Sequence, residues 1–251
     1  MANRRSIRMS IRSAWAALVS LMFLAPALLG VGCSSAQPKT SDYVLVYLKT
    51  GPQAGDKTQA ERDAIQAAHL ENIKRLGNDR SLVLAGPFGE VNHDPSTRGI
   101  FVFDVPTIGE ARRLTDTDPA VKAGVLVMEL HTMATATDLR RALAEYLALE
   151  EQARLEGRTR TMQERIRAYV LLRVDDADRA NETLARLGQR GELVLVARVD
   201  GRQGWYLLDA TDIASAAKLL EGDEARLGTF TLDEWWGSAQ LAEMPRATVG
   251  A

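Results

Sequence analysis

Past residue 40, the chain alternates between short runs of β-branched and aromatic residues and longer stretches with apolar side chains at helical spacing. The first run, Tyr43–Leu48, is typical of a strand. Residues 59–76 are predicted to form an amphipathic helix, because apolar side chains recur there every three or four positions. One stripe of this helix consists of Ile65, His69, Ile73 and Leu76.

The same hydrophobic spacing predicts four further elements before residue 134. Residues 82–85, 99–105 and 125–133 are predicted strands, and residues 108–114 form a predicted helix. The resulting order is β-α-β-β-α-β, the split β-α-β arrangement of ferredoxin-like folds. The fold class is therefore α+β.

This pattern returns in the second half of the chain. The matching segments are Tyr43-Val44-Leu45 with Tyr169-Val170-Leu171, Arg75-Leu76-Gly77 with Arg186-Leu187-Gly188, Leu82-Val83-Leu84 with Leu193-Val194-Leu195, and residues 99–104 with residues 204–209. Four blocks in the same order predict an internal duplication, so we expect two tandem ferredoxin-like units.

The expected domain organisation follows from these blocks. It consists of a signal peptide at 1–32, a lipidated tether at 33–41, a first unit at 42–134, a linker helix at 135–165, a degenerate second unit at 166–240 and a C-terminal tail at 241–251. The linker carries a charged helix with an apolar stripe at Leu139, Ala142, Tyr146, Leu149 and Ala153. Acidic and basic residues are mixed on its polar face, which argues against a membrane-surface helix.

A four-stranded sheet with helices on one face leaves the other face bare, and that face needs a cover. Two such sheets packed face to face provide it, normally in a homodimer. A tandem duplication would build the same arrangement within one chain as an intramolecular pseudo-dimer. We therefore expect a monomer.

Composition limits the function classes. Hydrophobic residues make up 46% of the chain and charged residues 25%, with a net charge of −2. The first twelve residues hold four arginines and no acid, so the remainder is more acidic than the whole. An acidic body without a basic stripe argues against nucleic-acid binding.

The leader predicts export. A basic segment precedes the uncharged apolar run of residues 14–32, as in a secretory signal; Pro26 argues against a transmembrane helix. The run ends at Leu29-Gly30-Val31-Gly32-Cys33, which resembles the lipobox of bacterial lipoproteins, although Leu29 is one position early. The resemblance implies cleavage before Cys33 and its acylation, which anchors the protein to the membrane. Ser34 implies the periplasmic side of the outer membrane within the cell envelope. Arg4-Arg5 leaves a twin-arginine signal open.

The first unit resembles the YCII-related family over about residues 42–133. The matching residues are Ala68-His69-Leu70, Leu84-Ala85-Gly86-Pro87, Gly99 and Thr117–Gly124. This family is similar to dimeric α+β barrel proteins and carries a His–Asp pair, which maps onto His69 and Asp118. The resemblance implies acid–base chemistry of lyase or isomerase type.

The chemistry of these side chains agrees with that role. Imidazole exchanges protons near neutral pH, and a neighbouring carboxylate would orient the ring and stabilise its cation. Two structural alternatives remain open. His69 shares a stripe with Ile65 and Ile73, as a core histidine would, and an Asp before Pro119 commonly makes a turn.

The second unit lacks this pair. Ala180 stands at the position of His69, while Asp223 keeps the carboxylate of Asp118. If the pair is catalytic, we expect one site per chain.

Other candidates concern ligand and metal binding. Gly86, Pro87 and His93 are candidate ligand-binding residues. His131 could complete a metal set with His69 and Asp118, but three histidines without an HExxH motif argue against a metal, and none is predicted. No cofactor is predicted either, because Asp56 replaces the second glycine of a phosphate loop in residues 51–58 and no dinucleotide fingerprint occurs.

Two hypotheses of function remain. The first is an envelope-anchored, non-catalytic module that binds a small ligand or a partner, favoured by export and by loss of the histidine in one unit. The second is a small-molecule enzyme with His69 and Asp118 as its acid–base pair. A pocket that holds His69, with Asp118 within hydrogen-bonding distance, would favour the enzyme.

Overall fold

The structure, a computed structural model of the chain, describes residues 41–249. The strands are β1 (Ser41–Thr50), β2 (Leu82–Pro87), β3 (Thr97–Phe103), β4 (Leu126–Thr135), β5 (Ile166–Val174), β6 (Leu193–Val199), β7 (Gln203–Leu208) and β8 (Phe230–Ser238). The helices are α1 (Gln59–Asn78), α2 (Ile108–Thr115), α3 (Pro119–Lys122), α4 (Leu139–Leu155), α5 (Met162–Arg165), α6 (Ala177–Gln189), α7 (Ile213–Leu220), α8 (Glu224–Leu227) and a 3-10 helix (Ala239–Glu243).

The two helices that carry the candidate site begin at well-defined caps. Thr58 and Glu61 form a capping box at the start of α1, so two otherwise unpaired backbone amides are satisfied. Asp118 caps α3, and Pro119 occupies its first position, where a missing amide hydrogen costs nothing. The helix predicted over 59–76 is confirmed. The four-residue helix α3 was not predicted, because one turn is too short to show periodicity.

All eight strands form one antiparallel sheet in the order β2-β3-β1-β4-β6-β7-β5-β8. Each half contributes four strands in the same relative order, and β4 joins the halves by pairing with β6 from Met133 to Thr135. This differs from the expected pair of separate sheets packed face to face. The pairing of β4 with β6 gives hydrogen-bond partners to backbone groups that would be unpaired at the edges of two separate sheets.

The sheet curls until its two ends nearly meet. Phe88, just after β2, forms a bridge with Trp235 of β8, and the Gly89 amide donates to the Glu234 carbonyl oxygen at 2.8 Å. The result is a nearly closed barrel with an inner and an outer face.

Three apolar clusters fill this architecture. The largest lies on the inner face, where aromatic side chains from both halves meet. Its aromatic members include Tyr43, Tyr47, Tyr169, Trp205 and Trp235. Two smaller clusters lie on the outer face, one under the helices of each half. The inner cluster therefore ties the two halves together.

The connecting and C-terminal segments also pack on this body. Helix α4 contacts β2 and the 3-10 helix. Leu139, Ala142 and Ala153 of its apolar stripe are buried, whereas Leu149 is 37% exposed. Leu143, outside the stripe, packs against the inner cluster. Leu241 and Met244 are buried in the inner cluster, and the Ala247 amide donates to the Leu193 carbonyl oxygen.

The leader predictions, including Cys33, concern residues outside the described range. Between residues 41 and 249, no helix combines the length and apolar character needed to cross a membrane.

Candidate functional site

His69 and Asp118 meet on the outer face of the first half. His69 lies on α1, and Asp118 directly precedes α3. The Nδ1 atom of His69 is 2.8 Å from Oδ2 of Asp118 and 3.0 Å from Oδ1. Asp118 is fully buried, and the His69 side chain is 10% exposed. Asp118 is therefore a helix cap and His69 a buried residue of α1, and the two side chains also contact each other directly.

The environment of Asp118 orients the imidazole. Its Oδ1 accepts a hydrogen bond from the Ala120 amide at 2.8 Å, which fixes the carboxylate on the start of α3. An ionised carboxylate only accepts hydrogen bonds, so Nδ1 of His69 is the donor. In a neutral ring the Nε2 atom is then unprotonated and able to accept a proton. The ring also stacks on Phe101 of β3, with centroids 5.9 Å apart and planes 20° apart.

The ring of His69 lines a cleft of about 1250 Å³ whose walls come mainly from α1, β2, β3 and α4. Most of its walls are apolar. Wall residues near His69 are Leu48, Ile65, Leu70, Phe101, Val125 and Leu126. Within the described range, no residue forms a hydrogen bond with Nε2 of His69. The reactive edge of the ring is thus free for a ligand, while the other edge is held by Asp118.

Four cationic side chains line this cleft: Arg62, Lys74, Arg98 and Arg165. Arg165 pairs with Glu150 at 2.7 Å, and its hydrogen bonds hold the pKa of the Glu150 carboxyl below its usual range. Arg62 and Lys74 have partners on or beside α1. Arg98, among the residues that the structure describes, has no side-chain partner.

The predicted ligand-binding residues separate into two places. Gly86 and Pro87 line the cleft with His69. His93 is exposed in the loop before β3 and does not line it; its backbone amide donates to Oδ1 of Asp233 at 2.6 Å.

His131 lies on the other face of the sheet from His69. It pairs in register with Leu45, which belongs to the inner cluster, whereas the Phe101 ring against His69 belongs to an outer one. Its Nδ1 atom is 2.6 Å from Asp200 Oδ2, and its Nε2 atom is 2.9 Å from Glu129 Oε1. The metal set of His131, His69 and Asp118 therefore does not form. Across residues 41–249, no three His, Cys, Asp or Glu side chains are grouped as metal ligands.

The second half replaces the imidazole with a guanidinium. Ala180 is buried in α6, and Asp223 accepts a hydrogen bond from Arg186, one and a half turns further along that helix. In the first half the matching Arg75 instead donates to Asn72 at 2.9 Å and to Thr117 at 3.0 Å. The sequence comparison aligned Arg75 with Arg186 but gave no sign that Arg186 takes the place of the histidine.

Comparison with known proteins finds a family match in the first half of the chain. The segment from residue 43 to residue 134, less than half of the chain, matches the family described as the YCII-related domain. Both residues of the His69–Asp118 pair lie within this matching segment, as does most of the cleft wall. Neither the curated proteins nor the solved structures gave a match to the chain.

Proposed function

We propose that the YCII-related domain binds a small, largely apolar molecule in its cleft and moves a proton on that molecule with His69. One observation carries this proposal: a buried 2.8 Å contact with Asp118 holds one edge of the ring, and the ring lines the cleft. This arrangement fits the general base of an isomerase or lyase better than a purely structural histidine.

The proposed step balances as follows. The Nε2 lone pair of His69 removes a proton from a carbon next to an electron-withdrawing group, and the electron pair of the broken C–H bond stays on the substrate. The imidazolium keeps its Nδ1 proton, and the Asp118 carboxylate stabilises the new charge. The Nε2 proton then returns to a different substrate atom in an isomerisation, or to a departing group in an elimination.

This proposal differs from the non-catalytic binding module, the first of the two hypotheses from the sequence. Both need the cleft. The catalytic proposal gives the buried carboxylate a role beyond capping α3, because its second oxygen lies against Nδ1 of His69 and can stabilise the imidazolium that proton transfer forms. The missing histidine at Ala180 is consistent with one proton-transfer site per chain.

Proton exchange offers a direct test. The chain is incubated in D2O with a panel of small ketones, lactones and carboxylic acids, and loss of C–H signals is followed by NMR. We expect exchange that falls about 10²–10⁴-fold in His69→Gln, the usual contribution of a general base. His93→Gln is the matched control, since His93 lies outside the cleft. Exchange that is equal in the wild type and His69→Gln, or absent for the whole panel, would contradict the proposal.

We also propose that the two halves arose by duplication and that the chain acts as a monomer. The equal strand order in both halves supports this proposal. Analytical ultracentrifugation should give a single species of monomer mass; a stable dimer would contradict it.

Export and anchoring through Cys33 complete the proposal. Cys33 is the only cysteine of the sequence, so an alkyne-tagged fatty acid supplied to cells should label the wild type and leave Cys33→Ser unlabelled. Equal labelling of both would contradict lipidation at this residue.

A further inference from the structure

We propose that the molecule bound in the cleft carries a carboxylate and that Arg98 binds it. This inference rests on the proposed function, because it assigns a substrate class to the same cleft. It depends on the position of Arg98 in the sheet, on its lack of a partner and on the surrounding surface.

Arg98 lies in a β-bulge of the pairing between β1 and β3. Leu48 of β1 pairs with Gly99 and the next residue, Lys49, pairs with Thr97, so Arg98 is an extra residue between two pairs. Strand alternation from Ile100, on the inner face, would direct position 98 into the barrel. The register shift interrupts this alternation at Arg98, whose side chain is exposed and lines the cleft, and bulges are common beside binding sites. Arg98 is the only exposed residue of β3.

The guanidinium of Arg98 is also available. The other cations of the cleft, Arg62, Lys74 and Arg165, each have an intramolecular partner. Glu90 and Glu234 border the adjoining hollow with Arg98, yet neither is ion-paired with it. Among the described residues that line the cleft, Arg98 is therefore the one cation without a side-chain partner.

One free guanidinium suits one carboxylate. Its planar fork of N–H donors matches two carboxylate oxygens, and the opposite charges cancel. A phosphate monoester carries nearly two charges near neutral pH, and a second free cation for it does not occur among the described residues of the cleft. Most of the cleft wall is apolar, which fits a hydrocarbon or aromatic body.

The distance to His69 fits a small molecule. Phe101, which stacks on the His69 ring, lies three residues after Arg98 in β3, or about 10 Å along the strand. Gly86 and Pro87 of β2 lie between the two ends, and Pro87 pairs with Gly99. Gly99 has no room for a side chain, since an added Cβ would lie 2.6 Å from the Gly86 carbonyl oxygen. A ligand held at Arg98 would reach His69 along the part of the cleft that Gly86, Pro87 and Gly99 line.

The test compares charged and neutral probes of the same shape on the full chain. Dissociation constants are measured by ligand-observed saturation-transfer NMR for benzoate and hexanoate, for benzamide and hexanamide, and for phenyl phosphate. We expect each carboxylate to bind at least tenfold more tightly than its amide, with Arg98→Gln removing the preference and Arg98→Lys retaining part of it. Arg112→Gln is the matched control, because Arg112 is exposed on α2 outside the cleft.

The outcomes separate this inference from the proposed function. Three outcomes would overturn the role of Arg98: equal binding of acids and amides, tighter binding of phenyl phosphate, or no binding of any probe. None of them would affect proton exchange by His69 on neutral ketones. A carboxylate preference that depends on Arg98 and survives in His69→Gln would support the inference even if no proton exchange occurred.

Discussion

Trp235 donates a hydrogen bond from its indole Nε1 to the carbonyl oxygen of Gly86 at 3.1 Å. Trp235 belongs to the last strand and is fully buried in the inner cluster, whereas Gly86 lines the cleft that holds His69. This bond lies where the barrel closes, next to the Phe88–Trp235 bridge. The second half therefore supports the strand that forms part of the cleft floor.

Replacing Gly86 with Ala should disturb this closure. An added Cβ would lie 1.9 Å from the Trp236 carbonyl oxygen and 2.7 Å from Cζ2 of Trp235, too close for either to remain in place. We expect a loss of about 1–3 kcal/mol in the free energy of unfolding, the usual cost of overpacking. Urea denaturation followed by tryptophan fluorescence measures it.

Gly77→Ala is the matched control for this substitution. Gly77 lies in α1, and nothing is within 4 Å of its added Cβ. Alanine there should raise the stability by about 0.5–1 kcal/mol because glycine is a poor helix former. Equal effects of the two substitutions would contradict a specific contact at Gly86.

Asp118 should determine which nitrogen of His69 carries the proton. In the wild type the neutral ring should be protonated at Nδ1, since only Nδ1 faces the carboxylate. In Asp118→Asn the amide can accept from Nδ1 or donate to it, so both tautomers should be populated. Imidazole ¹⁵N chemical shifts distinguish them, and the signals of His93 provide an internal control. An unchanged His69 spectrum would show that the pair does not form in solution.

The two halves should respond differently to loss of their matching arginines. Arg186→Met removes the hydrogen bond to Asp223, a carboxylate that is only 5% exposed, and should cost about 1–3 kcal/mol. Arg75→Met should cost less, because the first-half carboxylate is bonded to His69 instead. Unfolding in urea measures both. A larger loss of unfolding free energy for Arg75→Met than for Arg186→Met would contradict the different partners of the two carboxylates, His69 in the first half and Arg186 in the second.

The pair of Lys49 and Asp94 should make stability depend on pH. The Lys49 ammonium, 2.5 Å away, together with hydrogen bonds from Ser96 and Thr97, holds the pKa of the Asp94 carboxyl well below its usual range. A carboxyl with a lowered pKa in the folded state stabilises the fold above its unfolded pKa of about 4, and this contribution declines as the pH falls further. Asp94→Asn should therefore be less stable than the wild type at pH 7. The difference in urea midpoint should shrink steadily below about pH 4; a constant difference would contradict the assignment.

Hydrophobic spacing alone was enough to predict most elements of the first half. The strand at Tyr43–Leu48 and the helix from residue 59 lie where the sequence placed them, because burial on one face imposes a period of two or 3.6 residues. The His69–Asp118 pair also came from the sequence, through a resemblance to the YCII-related family. Its catalytic role stays a prediction.

Contacts between distant segments needed the tertiary structure. The pairing of β4 with β6, which makes one sheet from two halves, depends on backbone hydrogen bonds that leave no mark in side-chain periodicity. The sequence could not show Arg186 on Asp223 either, since a long side chain reaches partners far along the chain. The bulge at Arg98 is a third example, because an extra residue in a strand is recognised only from its pairing with the neighbouring strand. The sequence thus determined the local elements, because their periods are local, whereas the barrel and the free cation of its cleft were decided by pairings between segments far apart in the chain.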